Sequence, residues 1–163
     1  KVVVSSELPD GMESCLGEIR ENEVLSVWKD VPYLKWRYEK HPDFDYTFHV
    51  LFARGRPEGL IVTRVHGQSI AICEVLHRTK NVSQTAFLLS HVLKYFHFSD
   101  DQSIKFYGYD SGFFDAVFSR CGFSIDTSSD LVFGGRVFGD VKLEKVFIFP
   151  HNWTVAYGDT DVI

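Results

Sequence analysis

The sequence contains little cysteine and no cysteine pair. Its three cysteines, Cys15, Cys73 and Cys121, lie far apart, and none belongs to a CxxC motif. An odd number of widely spaced cysteines argues against a disulfide framework, and the missing pairs remove the usual signature of a structural zinc site. Since the histidines also lack HxH and HExxH spacing, no metal site is predicted. We expect reduced thiols and a cytoplasmic protein.

Positive charge and long apolar runs are also scarce. The chain has 17 lysine and arginine residues against 22 aspartate and glutamate residues, which gives a formal net charge of -5 and a pI near 5.8. A chain without a broad basic surface binds a phosphate backbone poorly, so DNA binding is not expected. No apolar run approaches the ~18 residues needed to span a bilayer, and the chain does not open on a signal-peptide pattern. Membrane insertion is therefore not expected either.

Aromatic residues are abundant, with 15 Phe and 7 Tyr among 163 residues. Hydrophobic residues make up 45% and charged residues 24%, which is typical of a globular chain. This length suits one folding unit, so we predict a single domain over residues 1–163 whose first 32 residues are poorly defined. Because residue 1 is Lys rather than Met, we also expect this domain to belong to a longer chain.

Three consecutive strands are predicted near the middle of the chain. Residues 46–53, 59–65 and 69–76 are rich in β-branched and aromatic residues, and Gly-containing turns separate them. From residue 83 to 98 the apolar residues recur at helical spacing, which predicts a helix that packs on the sheet. Short elements are predicted before these strands, over residues 14–22, 23–30 and 33–40.

The second half of the chain alternates in the same way. A strand over residues 104–109 precedes a helix over residues 113–121, and further strands are predicted over residues 131–133, 136–138, 146–149 and 153–157. The order β-β-β-α-β-α-β predicts an α+β fold. We expect an α-β-α sandwich with a mixed, mainly antiparallel sheet.

With this element order, the chain resembles the acyl-CoA N-acyltransferase (GNAT) superfamily over about residues 33–163. Arg120-Cys121-Gly122-Phe123 is similar to the Gly-Phe that follows the last helix in many members. Two segments resemble a subgroup often associated with bacterial cell-surface polysaccharide genes. The first is residues 33–38 together with the following His41-Pro42, and the second is residues 152–159. The resemblance implies acetyl-CoA or another acyl-CoA as cofactor and a small-molecule amine, such as an amino sugar, as acceptor.

In that superfamily a glycine-rich loop before the first long helix presents backbone N–H groups to the cofactor's diphosphate. Glycine suits this loop because a residue without a side chain lets the phosphate approach the backbone at a helix N-terminus. This chain has no glycine there, and Asn81, Ser83 and Thr85 stand at the expected positions. The alternative is that Ser83 or Thr85 simply caps the next helix. The residues that the resemblance assigns to the cofactor are Val75, Arg78, Lys80, Asn81, Ser83 and Thr85.

Acyl transfer to an amine needs a base for the attacking ammonium and an acid for the departing thiolate. The resemblance implies Glu74 as the base, and its apolar neighbours predict that burial raises its pKa toward neutrality. Tyr107 and Tyr109 are the candidates for the acid, and Tyr109 is preferred. The alternatives are a water-facing Glu74 and tyrosines that only pack. Cys73 and His77 would share one strand face ~13 Å apart, too far for a nucleophile and its base.

Two functions of different classes therefore remain open. The first is an acyl-CoA-dependent N-acyltransferase of a small amine or amino sugar. The second is a GNAT-like domain without cofactor binding, which acts as an interaction domain or as the companion half of a duplicated acyltransferase. Its partner would be a second GNAT-like domain or a second copy of the chain. A third possibility, aminoacyl transfer from transfer RNA, is disfavoured by the acidic charge balance.

Overall fold

A computed structural model of the chain describes residues 1–97, 102–110, 112–126, 146–147, 149 and 152–159. Its α-helices are α1 (Met12–Glu21), α2 (Val31–Leu34), α3 (Val82–Phe96) and α4 (Phe113–Arg120). Its strands are β1 (Val2–Ser5), β2 (Tyr46–Ala53), β3 (Arg56–His66), β4 (Ser69–His77), β5 (Ser103–Phe106), β6 (Gly108–Asp110) and β7 (Thr154–Ala156). A π-helical turn, Lys35–Glu39, extends α2, and a 3₁₀ turn, Tyr157–Asp159, follows β7.

The main sheet has five strands in the order β1-β2-β3-β4-β5. The first four strands are antiparallel to their neighbours, whereas β5 lies parallel to β4. A parallel pair needs a crossover connection, and α3 supplies it. Strands β6 and β7 form a separate antiparallel pair. The prediction of a mixed, mainly antiparallel sheet is confirmed.

Helices cover both faces of the main sheet. On one face, α1 and α2 pack over a cluster that includes Leu16, Leu34 and Phe48. On the other face, α3 and α4 pack over a cluster that includes Leu89 and Val117. Each of these side chains is almost completely withdrawn from solvent, and burial of one such side chain contributes about 1.5–3 kcal/mol to folding. The three layers form the predicted α-β-α sandwich.

The structure differs from the sequence-based prediction in three places. β1 was missed, because a three-valine run at the start of the chain shows no alternation of apolar and polar residues. Residues 23–30 form no regular element and carry only an isolated bridge between Leu25 and Trp153. Val146 and Phe147 are helical rather than extended. The strands predicted over residues 131–133 and 136–138 lie outside the described residues.

Within the described residues, no helix has both the length and the apolar composition that crossing a membrane requires.

Candidate functional site

A β-bulge in β4 shapes the candidate site. The pairing of β3 with β4 shifts register between Val62 and Thr63, which leaves Cys73 as the extra residue in β4. A bulge interrupts the alternation of side chains between the two faces of a sheet. As a result Cys73 and the next residue, Glu74, both turn toward the face that α1 and α2 cover, where Glu74 meets Tyr38.

Strands β4 and β5 separate at this bulge. Their parallel pairing ends at Ile72 and Phe106, and the chain then continues as β6, which pairs with β7 instead. Among the described residues, the part of β4 from Cys73 to His77 pairs with β3 alone. The 3₁₀ turn approaches β4 here so closely that a Cβ atom on Gly158 would lie 2.9 Å from the Cys73 carbonyl oxygen.

Glu74 belongs to a buried triad of charged side chains. Lys29 Nζ lies 3.1 Å from Glu74 Oε1 and 2.9 Å from Asp159 Oδ2, and the three side chains are 2%, 0% and 3% exposed. The Tyr38 hydroxyl donates a long hydrogen bond of 3.4 Å to Glu74 Oε2. The backbone N–H of Ala156 donates to Asp159 Oδ2. The alternative that Glu74 faces water is therefore wrong.

Burial controls the protonation of this triad. Burial raises the pKa of Glu74 to about 7, although the Lys29 ammonium opposes the rise. Burial alone would lower the pKa of Lys29, but the Glu74 and Asp159 carboxylates outweigh that effect and raise it above its ordinary value. Lys29 therefore stays charged, while the Glu74 carboxyl titrates near neutrality, in the direction that its apolar neighbours predict.

The triad and its neighbour Tyr38 join the two segments that carry the subgroup resemblance. Tyr38 comes from the π-helical turn after α2, and Asp159 ends the 3₁₀ turn after β7. A second link is the hydrogen bond from Arg37 Nε to the Gly158 carbonyl oxygen, at 3.0 Å. Sequence reasoning missed Lys29 and Asp159 as site residues. Lys29 lies in an irregular segment, and only the motif over residues 152–159 pointed to the region of Asp159.

The candidate acids lie outside this triad. Tyr109 is on β6, opposite Val155, and its side chain is 44% exposed. Across the described part of the chain, no hydrogen bond or ion pair joins Tyr109 to Glu74. Tyr107 packs its ring 5.3 Å from that of Tyr157, the first residue of the 3₁₀ turn. The role of either tyrosine as an acid stays a prediction.

The loop before α3 is closed by its own side chains. Asn81 is the N-cap, because its Oδ1 accepts the backbone N–H of Gln84 at 3.0 Å. The prediction that Ser83 or Thr85 caps this helix is wrong, since α3 begins at Val82 and both residues lie inside its first turns. An N-cap side chain takes one of the N–H groups that a helix start would otherwise offer to a ligand.

His77 accepts two further N–H groups, one from the loop and one from the N-cap residue. Its Nδ1 accepts the backbone N–H of Thr79 at 3.2 Å and that of Asn81 at 3.3 Å. Its Nε2 lies 3.0 Å from Gln84 Oε1. Because Nδ1 accepts, the proton of the neutral ring is on Nε2, which donates to Gln84. The acceptor nitrogen of the imidazole is thus turned to the backbone of the loop.

The two cations of the loop are engaged elsewhere. Arg78 forms ion pairs with Glu58, at 2.7 Å, and with Glu18 of α1, at 3.0 Å. Lys80 Nζ donates to Thr154 Oγ1 of β7 at 3.2 Å. Arg78 therefore reaches toward α1 and Lys80 toward β7, so the two positive charges that the sequence places on the loop do not converge.

The remaining residues assigned to the cofactor are also spread apart. Ser83 is exposed in the first turn of α3, and its Oγ accepts from Arg120 Nη1 at 3.2 Å. Thr85 is fully buried and donates to the Asn81 carbonyl oxygen at 2.9 Å. Val75 is packed in the core under α3. These residues share the β4–α3 junction, but their side chains do not face one common point.

The prediction that Cys73 and His77 share one face of the strand is wrong, although the conclusion that they do not act together stands. The Cys73 bulge places its thiol in the core under α1, whereas His77 hydrogen bonds to Gln84 of α3 on the other side of the sheet. Burial also raises the pKa of the Cys73 thiol to about 12. Cys73 is therefore a packed neutral thiol, and the two side chains cannot act as a nucleophile and its base.

A solved structure shares this fold. It is a protein of unknown function from meticillin-resistant Staphylococcus aureus, described as a probable acetyltransferase. The TM-score is 0.51 at 16% sequence identity, and the match covers 86% of this chain and 100% of the other. No family model and no curated protein matches the chain. At this identity the likeness supports an acetyltransferase-like fold and assigns neither substrate nor catalytic residues.

Acyl-CoA, the cofactor that the sequence resemblance implies, needs free backbone N–H groups for its diphosphate. In this loop His77 and Asn81 already accept N–H groups of the loop and of the first turn of α3. Arg78 and Lys80 bind other protein groups. In this conformation the loop presents neither the N–H groups of Thr79, Asn81 and Gln84 nor the charges of Arg78 and Lys80 to a diphosphate, and it therefore fits this group poorly.

Proposed function

We propose that this chain is an acyltransferase-like domain that does not hold acyl-CoA by itself and that serves as a binding unit, the companion half of a two-domain acyltransferase. The observation that carries the proposal is the pair of hydrogen bonds from the Thr79 and Asn81 N–H groups to His77 Nδ1. A diphosphate would have to displace this buried side chain and the Asn81 cap before it reached the N–H groups of Thr79, Asn81 and Gln84. The partner would be a second acyltransferase-like domain or a second copy of the chain.

The environment of Glu74 supports the same function. A general base has to reach the proton that it accepts, within about 2.6–3.2 Å or through one water. Glu74 is 0% exposed, and Lys29 and Tyr38 contact its two oxygens. Removal of a buried cation from a buried carboxylate costs several kcal/mol, so the triad resists the opening that a substrate would need.

Calorimetric titration with acetyl-CoA tests this proposal. We expect no saturable heat up to about 1 mM ligand, which corresponds to a binding free energy weaker than about -4 kcal/mol. Saturable binding in the micromolar range would contradict the proposal. If the chain does bind acetyl-CoA, a Ser83→Trp variant decides whether the ligand lies at the start of α3. In that case Ser83→Trp should lose the binding, and the control Arg56→Gln, at an exposed position of β3, should keep it.

A second candidate function is an acyl-CoA-dependent N-acyltransferase of a small amine or amino sugar in the cytoplasm. The pKa of Glu74, about 7, favours it, because a base with this pKa can accept a proton at neutral pH. The position of Glu74 beside the part of β4 that β5 leaves unpaired also favours it. In this alternative Glu74 takes the proton of the attacking ammonium, and Tyr109 protonates the departing thiolate.

Thiol release from acetyl-CoA in the presence of amino sugars tests the second candidate. Turnover that falls at least about 100-fold in Glu74→Gln, with a smaller loss in Tyr109→Phe, would establish it. Lys94→Gln, which changes a charge on α3, is the matched control and should retain full turnover. Absence of thiol release with every amine would exclude this candidate.

A further inference from the structure

Arg64 is a buried cation without a counter-charge. It lies near the end of β3, and the residue is 5% exposed. Across the residues that the structure describes, no carboxylate lies within ion-pair distance of Arg64, in contrast to Lys29, which has two. A buried charge loses several kcal/mol of hydration free energy that only a partner can restore. Within the described part of the chain, Arg64 therefore lacks the charged partner that its burial calls for.

The surroundings of Arg64 are aromatic. Its guanidinium carbon lies 4.2 Å from the ring centroid of Phe44 and 5.9 Å from that of Tyr46. Cation–π contacts of this kind contribute only about 0.5–2 kcal/mol each, less than the hydration that the guanidinium loses. Arg64 Nε and Nη1 and the Tyr46 hydroxyl are all buried without a hydrogen-bond partner among the described residues. Burial raises the pKa of Tyr46, and the Arg64 guanidinium lies close enough to the Tyr46 hydroxyl to oppose this rise, so the donors of the two side chains meet in one place.

Arg64 also lies close to Glu74. On β3, Val62 is opposite Glu74 and Arg64 is opposite Ala71, so Arg64 is two residues farther along the same face. Two residues along a strand correspond to about 7 Å. The Cys73 bulge lies between them, and the Arg64 charge opposes the burial that raises the pKa of this thiol. Arg64 therefore lies on the same face of the sheet as the triad, about two residues farther along β3.

The Phe44 ring packs against the Arg64 guanidinium. It lies in the irregular segment between the π-helical turn and β2 and is only half-buried. Its ring covers the guanidinium from one side, and His41 packs its own ring 5.0 Å from that of Phe44. Displacement of this aromatic cover would expose the unused donors without disturbing a strand of the sheet.

We propose that Arg64 and the Tyr46 hydroxyl bind the carboxylate or phosphate group of a small molecule, which enters by displacing the Phe44 ring. The arginine supplies the charge and the planar N–H donors that suit either anion, and the tyrosine supplies a further donor. The site does not depend on acyl transfer, so it serves a binding domain and an enzyme equally. In an enzyme it would favour an amine acceptor that also carries an anionic group.

Thermal unfolding with added anions tests this site. Sodium acetate, sodium phosphate and sodium chloride are compared at equal ionic strength, so that acetate reports carboxylate binding and phosphate reports phosphate binding. We expect acetate or phosphate to raise the unfolding temperature saturably, as a ligand that binds only the native state does, and chloride to have no such effect. No saturable rise with either anion up to about 100 mM would overturn the proposal.

An Arg64→Met variant distinguishes a ligand site from a structural role. Without added anion, this variant should unfold at a higher temperature than the unaltered chain, because an apolar side chain replaces a buried unpaired charge. Its response to acetate and phosphate should disappear, whereas Lys40→Met, which removes an exposed nearby charge, should keep the full response. An Arg64→Met variant that is less stable and still responds to anions would show that Arg64 is structural.

Two milder variants keep the proposal testable if Arg64→Met does not fold. Tyr46→Phe removes only a hydroxyl for which the described residues supply no hydrogen-bond partner of good geometry, so it should fold normally and bind the anion several-fold more weakly. Phe44→Ala removes the cover and should bind the anion more tightly than the unaltered chain. Unchanged affinity in both variants would overturn the proposed binding geometry.

Discussion

Lys29 Nζ lies 3.1 Å from Glu74 Oε1, and both side chains are almost completely withdrawn from solvent. This contact fixes an irregular segment of the N-terminal region against the bulged strand at the centre of the fold. The same ammonium also contacts Asp159, 130 residues later in the chain. One cation therefore holds together three segments that local sequence pattern leaves unrelated.

Removal of this cation should be strongly destabilising. Lys29→Met leaves the Glu74 and Asp159 carboxylates buried beside each other without a counter-charge, which costs about 3–5 kcal/mol. Urea unfolding followed by circular dichroism measures the change as a lower midpoint with an unaltered slope. The control is Lys40→Met, at an exposed position, which should change the free energy of unfolding by less than about 0.5 kcal/mol. Equal effects of the two substitutions would contradict a structural role of the triad.

The elements of the fold could be predicted from local sequence, but the triad could not. The boundaries of β2 and α4 follow from composition and apolar spacing within each segment. The bulge at Cys73 leaves no mark in the sequence, and it turns Glu74 to the same face as its neighbour. The other two members of the triad lie 45 and 85 residues away from Glu74 in the chain, and no short-range pattern specifies such contacts.

The structure of the cofactor loop also could not be predicted fully from local sequence. The missing glycines indicated a changed loop, and the positive charges of Arg78 and Lys80 indicated that phosphate binding could survive there. What closes the loop is His77, whose imidazole accepts two backbone N–H groups. A histidine at the end of a strand has no sequence signature that separates this role from ordinary packing, so the decisive residue was missed.

The protonation of Glu74 should make stability depend on pH. Burial raises its pKa from 4.5 to about 7 in the folded state. The folded state therefore binds the proton more tightly than the unfolded state, and this contribution to stability is complete below pH 4.5 and disappears as the pH rises through about 7. Glu74→Gln, which imitates the protonated form, should lack this loss. The measurement is the difference between the unfolding free energies of the two proteins at pH 4.5, 5.5, 6.5 and 7.5. A constant difference would contradict the raised pKa.

His77 should contribute a pH dependence of opposite sign. Burial is the main cause that lowers its pKa, while the hydrogen bond to Gln84 opposes the change. The unfolded state then binds the proton more tightly, so stability is lost as the pH falls below about 6.5, the ordinary value for histidine. His77→Gln should remove this loss. Hydrogen exchange gives an independent readout, since His77→Ala should accelerate exchange at the Thr79 and Asn81 amides.

The close approach of Gly158 to β4 yields the last prediction. A Cβ atom there would collide with the Tyr38 hydroxyl and would lie 2.9 Å from the Cys73 carbonyl oxygen. Because one of these neighbours is backbone, Gly158→Ala should destabilise the chain by about 1–3 kcal/mol. Gly17→Ala is the matched control, since its nearest atom is at 4.0 Å within α1, and it should be neutral or stabilise by up to about 1 kcal/mol. Chemical denaturation of both variants measures the contrast. A Gly158→Ala variant as stable as Gly17→Ala would show that the 3₁₀ turn does not pack against β4 and would remove Asp159 from the triad.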